Sequence, residues 1–389
     1  MSDLKLLASD PAPSEAPSST AEPSPTATPE PSATPTVAPT ETPTPVPTAT
    51  VTPQPTPTLT ASPTPTLHAV TIMATPTSTR PAPSATPTRL RPLRLGPPLV
   101  MALFFPWYED SDWNSGKMSD LPAVRYDSRD PGTLRRQAEE ARGAGLDGFV
   151  SAWFYEGHKT DESFSKLLSV TQGTGFQSTI YLDITATGVL NSPGRIAEAL
   201  RYIMGRYSGS ANFLRWGGKP VLVFWALRRV PTNGQTPLET WRWIRDQVDP
   251  GRSAFWLGEG DDLSYLDVFD SIYFFDISWA ADPANAMASL NRKWTEYNRQ
   301  HGTNKALTAT VMPGYDDSRL GRASPHVRPR NDGQYYTASF QAAIDLTPSL
   351  IVINSYNEWF EGTQIEPSVS YGSKYLDLTR EWSARYKAR

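Results

Sequence analysis

Two glutamates, Glu358 and Glu361, stand three residues apart directly after a short apolar run near the C-terminus. If the chain makes one helical turn there, both carboxyl groups project from the same side, with roughly 5–6 Å between their Cβ atoms. Two carboxyl groups at that spacing can differ in pKa, so that one stays protonated as an acid while the other is ionised as a base. Glycoside hydrolysis needs such a pair. The alternative is that Glu358 caps a helix and Glu361 is a solvated surface carboxylate.

The apolar run before the glutamates, Leu350 to Ile353, is rich in β-branched residues and predicts a strand that is covered on both faces. Asn357 and Glu358 follow where this strand should end. Buried strands that end in polar side chains are typical of an active-site edge in parallel α/β proteins. We therefore count Asn357 among the candidate substrate contacts and the two glutamates as the candidate catalytic residues.

Upstream of this segment, short β-like runs alternate with amphipathic helical stretches, which predicts a parallel α/β fold. Eight strands are expected near Val100–Trp107, Gly148–Phe154, Thr179–Ile184, Pro220–Ala226, Ala254–Gly258, Ser271–Phe275, Ala306–Val311 and Leu350–Asn354. Helices are expected at Asp130–Gly143, Asp161–Thr171, Pro193–Tyr207, Pro237–Val248, Tyr265–Phe269, Pro283–Arg299, Tyr335–Asp345 and Lys374–Tyr386. Eight alternations in residues 99–389 indicate a single (β/α)8 TIM barrel. A doubly wound open sheet is the alternative, although no Gly-rich phosphate loop follows any strand.

The predicted strand ends are rich in aromatic and acidic side chains. Their C-terminal residues include Trp107, Tyr108, Trp153, Asp183, Trp225, Glu259, Asp276 and Trp279, with Tyr315, Asp317 and Arg319 after strand seven. Sugar rings have apolar C–H faces between hydroxyl groups, so aromatic platforms beside acids and an arginine suit an oligosaccharide groove. The alternatives are that the tryptophans belong to the core, that Asp183 caps its own loop and that Arg319 pairs with Asp316 or Asp317.

Residues 1–98 differ from the rest in composition. Most of the 38 prolines lie at or before Pro98, and the first aromatic residue of the chain is Phe104. Thr-Pro and Ser-Pro repeats favour extended, solvated chain, so we predict a disordered Thr/Pro-rich stalk or linker ahead of the catalytic domain. Such stalks usually occur outside the cell, which predicts an extracellular or cell-surface location. The apolar stretch after Met1 is too short for a signal-peptide core or a membrane helix, which suggests a trimmed or misassigned start.

Charge and cysteine content exclude several function classes. The net charge is −4, and no basic stripe or polybasic cluster indicates a nucleic-acid or membrane partner. The chain has no cysteine and four histidines, none of them in a His-x-x-x-His pair, which argues against a zinc hydrolase. We expect no metal and no cofactor, and the oligomeric state cannot be read from the sequence.

Three blocks of the chain resemble glycoside hydrolase family 99, the endo-α-mannosidases and their bacterial relatives. They are Asn357–Glu366, Pro313–Arg319 and Asp332–Tyr336. The resemblance extends over roughly Leu99 to the C-terminus and is strongest in the last quarter. It implies a TIM-barrel enzyme that needs no metal.

The resemblance also implies residue roles. Glu358 would act as a base towards the sugar 2-hydroxyl, giving a 1,2-anhydro sugar, and Glu361 would act as acid and then as base. An axial 2-hydroxyl, and hence a manno-configured sugar, suits this chemistry. The implied substrate contacts are Tyr108, Trp153, Asp183, Tyr273 and Arg319.

The chain also departs from the family pattern. Asp183 stands where a glutamate is usual, strand four ends in the apolar Trp225, and Phe275 replaces a second tyrosine. We therefore predict a retaining, endo-acting hydrolase of α-linked, mannose-containing polysaccharide or glycan with altered subsites. The alternatives are a non-catalytic cell-surface barrel that binds glycan and an accessory protein of glycan biosynthesis.

Overall fold

The computed structural model describes residues 91–389, so the prediction for the preceding Thr/Pro-rich residues lies outside it. Eight parallel strands form the centre of this part of the chain. They are β1 (Leu99–Phe104), β2 (Gly148–Trp153), β3 (Gln177–Asp183), β4 (Lys219–Trp225), β5 (Phe255–Glu259), β6 (Ser271–Tyr273), β7 (Thr308–Val311) and β8 (Leu350–Ile353). Each lies within about three residues of a predicted strand, because apolar β-branched runs mark strands that are covered on both faces.

The helices of residues 91–389 follow the strands in alternation. They are α1 (Pro131–Gly143), α2 (Lys159–Val170), α3 (Pro193–Arg206), α4 (Pro237–Val248), α5 (Pro283–His301), α6 (Gln334–Asp345) and α7 (Lys374–Lys387). Four of them begin with proline after a side chain that caps the first turn, namely Asp130, Ser192, Thr236 and Asp282. Between β5 and β6 the chain forms only a short 3-10 helix, Leu263–Asp267. Among these helices, none is both long enough and apolar enough to cross a membrane.

The strands pair in the order β6-β5-β4-β3-β2-β1-β8-β7, with all of these ladders parallel. Side chains complete the circle between β6 and β7. The Ser271 hydroxyl donates to the Ala306 carbonyl at 3.0 Å and shares a 2.8 Å hydrogen bond with the Thr308 hydroxyl. The Thr310 hydroxyl donates to the Phe274 carbonyl. This nearly closed circle confirms the predicted (β/α)8 barrel over the open doubly wound sheet.

Alternate residues of each strand face opposite layers of the core. In β1, Met101 and Leu103 point into the barrel, whereas Val100, Ala102 and Phe104 pack against the helices. Because strand side chains alternate, this parity decides which strand-end residue reaches the barrel mouth. For the last residue of every strand, this alternation decides whether the side chain faces the barrel interior or the helices.

The chain just before β1 packs on the opposite, N-terminal end of the barrel. The Trp216 indole fills that end beside Phe255 and donates to the Pro97 carbonyl at 3.2 Å. The Ser349 hydroxyl donates to the Leu93 carbonyl. The residues from Leu93 to β1 therefore pack against the barrel.

Ser271 provides a test of the β6–β7 seam. We expect Ser271→Ala to lower the free energy of unfolding by about 1–3 kcal/mol, because it leaves buried hydrogen-bonding groups of Ala306 and Thr308 without a partner. Urea unfolding measures this change, with the exposed Ser169→Ala on α2 as the matched control. Equal stability of the two variants would mean that packing alone closes the seam.

Candidate active site

The two glutamates lie in the loop that follows β8 at the C-terminal mouth of the barrel. A turn brings them together in place of the expected helical turn, since the Thr363 amide donates to the Glu358 carbonyl at 3.1 Å. Gly362 occupies this turn with φ +60°, and a Cβ there would approach the Asp316 carbonyl oxygen at 3.1 Å. Glycine therefore suits this position both for its backbone conformation and for the space available.

Glu358 is almost completely buried. Its Oε1 accepts hydrogen bonds from the Tyr108 hydroxyl at 3.0 Å and from the Phe360 amide at 3.1 Å. The Tyr108 hydroxyl in turn accepts from the Trp359 amide at 2.9 Å, so Tyr108 fixes the carboxyl group relative to its own loop. Burial, and then the charge of Glu361, raise the pKa of Glu358 to about 8.

Glu361 forms an ion pair with Arg322, which was not among the site residues predicted from the sequence. Its carboxylate accepts from Arg322 Nη2 at 2.9 Å, and Arg322 Nη1 contacts Asp317 at 2.8 Å and the Tyr315 hydroxyl at 2.7 Å. Burial raises the pKa of Glu361, whereas Arg322 opposes that rise by stabilising the ionised form.

Arg319, the arginine predicted as a substrate contact, lies in the same loop but is exposed and donates to the Met118 carbonyl at 3.2 Å. The structure brings Arg322 to Glu361 in its place. An arginine in the loop after strand seven was visible in the sequence, but nothing in an irregular loop indicated which of the two would point inwards.

The two carboxyl groups titrate as a pair because each is buried beside the other. Burial and the charge of Glu361 favour the protonated form of Glu358, whereas Arg322 stabilises the negative charge on Glu361. A protonated and an ionised carboxyl group side by side can act as acid and base in one reaction.

Asn357 supports the loop from below and is fully buried. Its Oδ1 accepts from the Phe105 amide at 2.7 Å, and its Nδ2 donates to the Phe105 carbonyl at 3.1 Å and to the Tyr126 hydroxyl at 3.2 Å. The side chain joins the loop that carries Glu358 and Glu361 to the end of β1. The structure therefore places this predicted substrate contact inside the protein, with its amide hydrogen bonds made to the chain itself.

A further buried carboxylate, Glu366, completes this support. It accepts from the Tyr126 hydroxyl at 2.9 Å and from Gln137 at 2.8 Å, while Tyr126 accepts from the Trp359 indole at 3.1 Å. Arg136 lies 3.4 Å away. Burial raises the pKa of Glu366 to about 7, yet every one of these partners donates, so the ionised form fits the geometry. In the sequence Glu366 belongs to the same block as the two glutamates, but no pattern there indicated a role for it.

The wall of the barrel mouth on strands β3 to β6 carries four side chains at one level. The backbone register aligns Asp183 with Trp225 and Glu259 with Tyr273 on neighbouring strands. Burial is the main cause of the raised pKa of Tyr181, which lies inside the barrel, and the charges of Asp183, Glu259 and Glu361 add to it, so these groups surround one space. Asp183 and Tyr273 thus lie in the barrel mouth, and their role as substrate contacts stays a prediction.

Each acid of this wall has a backbone donor. Asp183 accepts from the Thr185 amide and hydroxyl, both at 2.8 Å, and Glu259 accepts from the Ala226 amide at 3.1 Å. Burial raises the pKa of both groups, that of Glu259 to about 7. Asp183 therefore caps its own loop, as the alternative reading proposed, and still faces the mouth.

Trp153, a predicted substrate contact, lies in the other layer of the core. It is fully buried against the helices, where its indole N–H donates to the Asp161 carboxylate at 2.8 Å. Its ring stacks on that of Tyr202, with the ring centroids 6.2 Å apart. Its parity in β2 directs it away from the mouth, so the structure does not bring it to the glutamates.

Within residues 91–389 no group of acidic or histidine side chains has an arrangement that could bind a metal ion.

Comparison with known proteins shows which family this chain is similar to. The sequence profile described as "Glycosyl hydrolase family 99" matches residues 111–388. The mouse "Glycoprotein endo-alpha-1,2-mannosidase-like protein" is 26% identical over 297 residues, which are 67% of this chain and 63% of that protein. The rat "Glycoprotein endo-alpha-1,2-mannosidase" is 23% identical over 295 residues, covering 67% of this chain and 62% of its own length. The chain thus spans less than two thirds of the length of these relatives.

A solved structure supports the fold. The GH99 endo-alpha-mannosidase from Bacteroides thetaiotaomicron, in complex with bis-tris-propane, superposes with a TM-score of 0.62 at 23% identity. The superposition covers 74% of this chain and 97% of that one. At this identity the likeness concerns the barrel architecture.

The raised pKa of Glu358 has a consequence for stability. Its pKa rises from 4.5 in the unfolded chain to about 8 in the folded protein, so the folded state retains a proton that the unfolded state releases. Stability is therefore lost as the pH rises through this interval. We expect Glu358→Gln to be more stable than the wild type at pH 8, by an amount on the order of a few kcal/mol, and the difference to vanish near pH 4.5.

Urea unfolding from pH 4.5 to 8.5 measures this difference. The exposed Glu198→Gln on α3 is the matched control and should follow the wild type at every pH. A constant offset between Glu358→Gln and the wild type would contradict the raised pKa.

Proposed function

The chain belongs to glycosyl hydrolase family 99, and on this premise we propose that it is a retaining, endo-acting glycoside hydrolase of α-linked, mannose-containing glycans. The observation that carries the proposal is the buried pair of Glu358 and Glu361 at the barrel mouth, in which Arg322 contacts Glu361 at 2.9 Å. An acid and a base at one position are what cleavage of a glycosidic bond requires.

In the proposed reaction Glu358 removes the proton of the sugar 2-hydroxyl. The O2 oxygen then attacks C1 of the same ring and forms a 1,2-anhydro sugar, while the bond from C1 to the leaving oxygen breaks and Glu361 gives that oxygen its proton. Water next attacks C1, Glu361 accepts the proton of the water, and Glu358 returns a proton to O2. Two inversions at C1 give overall retention of configuration.

This sequence needs the shared proton on Glu361 when substrate is bound. The surroundings of the pair favour the proton on Glu358, so substrate must reverse the distribution. A sugar hydroxyl that donates to Glu358 favours its ionised form, as do the existing bonds from Tyr108 and the Phe360 amide. Glu361 then takes the proton while it remains in contact with Arg322.

The proposed substrate is a manno-configured sugar, since an axial 2-hydroxyl suits attack on C1. The names of the mouse and rat relatives, which refer to endo-alpha-1,2-mannosidases, support this sugar. The wall opposite the glutamates provides Asp183 and Glu259 as acceptors for sugar hydroxyls. In the same wall the rings of Trp225 and Phe275 pack together, with their centroids 4.2 Å apart. These apolar rings stand where polar residues are usual in the family, so we propose a substrate that differs from a standard α-1,2-linked mannan in the adjoining sugar.

The proposed location, outside the cell or at its surface, depends on the Thr/Pro composition of residues 1–98. A Thr/Pro-rich segment would hold the barrel away from a surface and towards extended glycans. The proposed partner is the glycan substrate alone.

Product analysis of the full chain on α-mannans and mannose-containing glycans tests the proposal. We expect cleavage within the chain with retained anomeric configuration, and a loss of at least about 10²-fold in turnover for Glu358→Gln and for Glu361→Gln, because each removes a proton-transfer group. Glu198→Gln should match the wild type. Binding without any cleavage would identify a glycan-binding barrel instead.

Arg322 should set the pH range of this activity. We expect Arg322→Gln to move the alkaline limb of kcat/KM upwards by about 1 pH unit, because loss of the cation raises the pKa at which the pair releases its last proton. The pH profile of the cleaved glycan measures the shift. Arg319→Gln, the exposed arginine of the same loop, is the control and should leave the limb unchanged. An unshifted limb in Arg322→Gln would mean that Arg322 does not act on the pair.

A further inference from the structure

An exposed tryptophan stands on the rim of the barrel mouth after β6. The loop Asp276–Ala280, here called the Trp279 ledge, presents an indole that is 46% exposed. Val327, from the loop that follows β7, is 47% exposed. Large apolar side chains exposed next to a candidate active site indicate a contact with a ligand.

The Trp279 ledge is fixed by its own hydrogen bonds. The Trp279 indole donates to the Asp276 carbonyl at 3.1 Å, and the Ser278 amide donates to the Asp276 carboxylate at 2.6 Å. The Tyr335 hydroxyl lies within hydrogen-bonding distance of the carbonyls of Ile277, at 2.9 Å, and Ala280, at 3.1 Å. An aromatic side chain that is already ordered loses little freedom when a ligand stacks on it.

One hairpin connects the Trp279 ledge with Glu361. Its strands are Tyr315–Asp316 and Val327–Arg328. Arg328 Nε donates to the Ser278 carbonyl of the ledge at 2.7 Å, and the Asp316 amide donates to the Glu361 carbonyl at 2.7 Å. The ledge is therefore on the Glu361 side of the mouth.

The loop of the same hairpin carries charged groups between the Trp279 ledge and Glu361. The His326 amide donates to Asp317 at 2.6 Å, and Asp317 contacts Arg322, the partner of Glu361. The Asp276 charge also raises the pKa of Glu361, as expected for two carboxyl groups that face one space.

From this arrangement we propose that the Trp279 ledge is a binding subsite for a neutral sugar ring of the leaving-group part of the glycan. The proposal rests on the proposed function, in which Glu361 protonates the leaving oxygen, so that the departing sugars lie on the Glu361 side. The flat indole takes the C–H face of the ring. His326 Nε2 and Arg328 Nε lie 3.3 and 2.7 Å from the Ser278 carbonyl oxygen, so both side chains pack beside the ledge.

The test compares Trp279→Ala with Trp243→Ala, which removes another exposed tryptophan, on α4, that is 40% exposed. The substrates are a length series of the oligosaccharide that the wild type cleaves, extended on the leaving-group side. For the extended members we expect KM to rise about 10-fold in Trp279→Ala, with kcat and the KM of the shortest member unchanged. Trp279→Phe should recover most of the loss because it retains a flat ring.

Binding of the same series to Glu361→Gln and to the double variant Glu361→Gln/Trp279→Ala gives a second readout that does not depend on turnover. We expect affinity to increase with length only when Trp279 is present. Equal values for Trp279→Ala and Trp243→Ala at every length would overturn the subsite, and so would an equal loss at all lengths. A wild type that binds the series and cleaves none of it would contradict the proposed function while leaving the subsite measurable.

Discussion

The structure depends on the burial of ionisable carboxyl groups at the open end of a barrel. Removing a carboxylate from water is unfavourable unless hydrogen bonds or an opposite charge compensate. Glu358 receives two donors and Glu361 receives Arg322, yet burial keeps the pKa of both above the usual range. The site thus retains a proton near neutral pH, which a solvent-exposed pair would release.

The surroundings of the loop that carries Glu358 and Glu361 follow from this constraint. Tyr126 and Glu366 fix the indole of Trp359 from one side. From the other side, the buried Arg330 donates to the carbonyls of Gly362 and Gln364, at 2.9 and 2.8 Å. Buried hydrogen bonds of this kind restrict the motion of a loop. A turn that lacks regular secondary structure can therefore hold two carboxyl groups in fixed positions.

The barrel decides which side chains join the glutamates. Strand residues alternate between the barrel interior and the helix layer, so two tryptophans at neighbouring strand ends have different positions. Trp225 packs with the interior cluster, whereas Trp153 packs against the helices. The acids Asp183 and Glu259 share the interior parity and form the wall opposite the glutamates. Strand register therefore decides, as much as residue type, which strand-end side chains reach the barrel mouth.

Much of this protein was readable from its sequence. Local patterns predicted the eight strands, the helices that begin after a capping side chain and proline, the barrel, and the pair Glu358 and Glu361, because each depends on neighbouring residues or on a fixed period. Other features depended on tertiary structure. Only the folded structure shows that Arg322, and not Arg319, contacts Glu361, and that Asn357 makes its hydrogen bonds within the protein. It also shows that Glu366 supports the loop and that Trp153 packs against the helices. These features result from contacts between residues far apart in the chain. Irregular loops have no period from which a side-chain direction can be read, so only the folded barrel determined which of these groups meet.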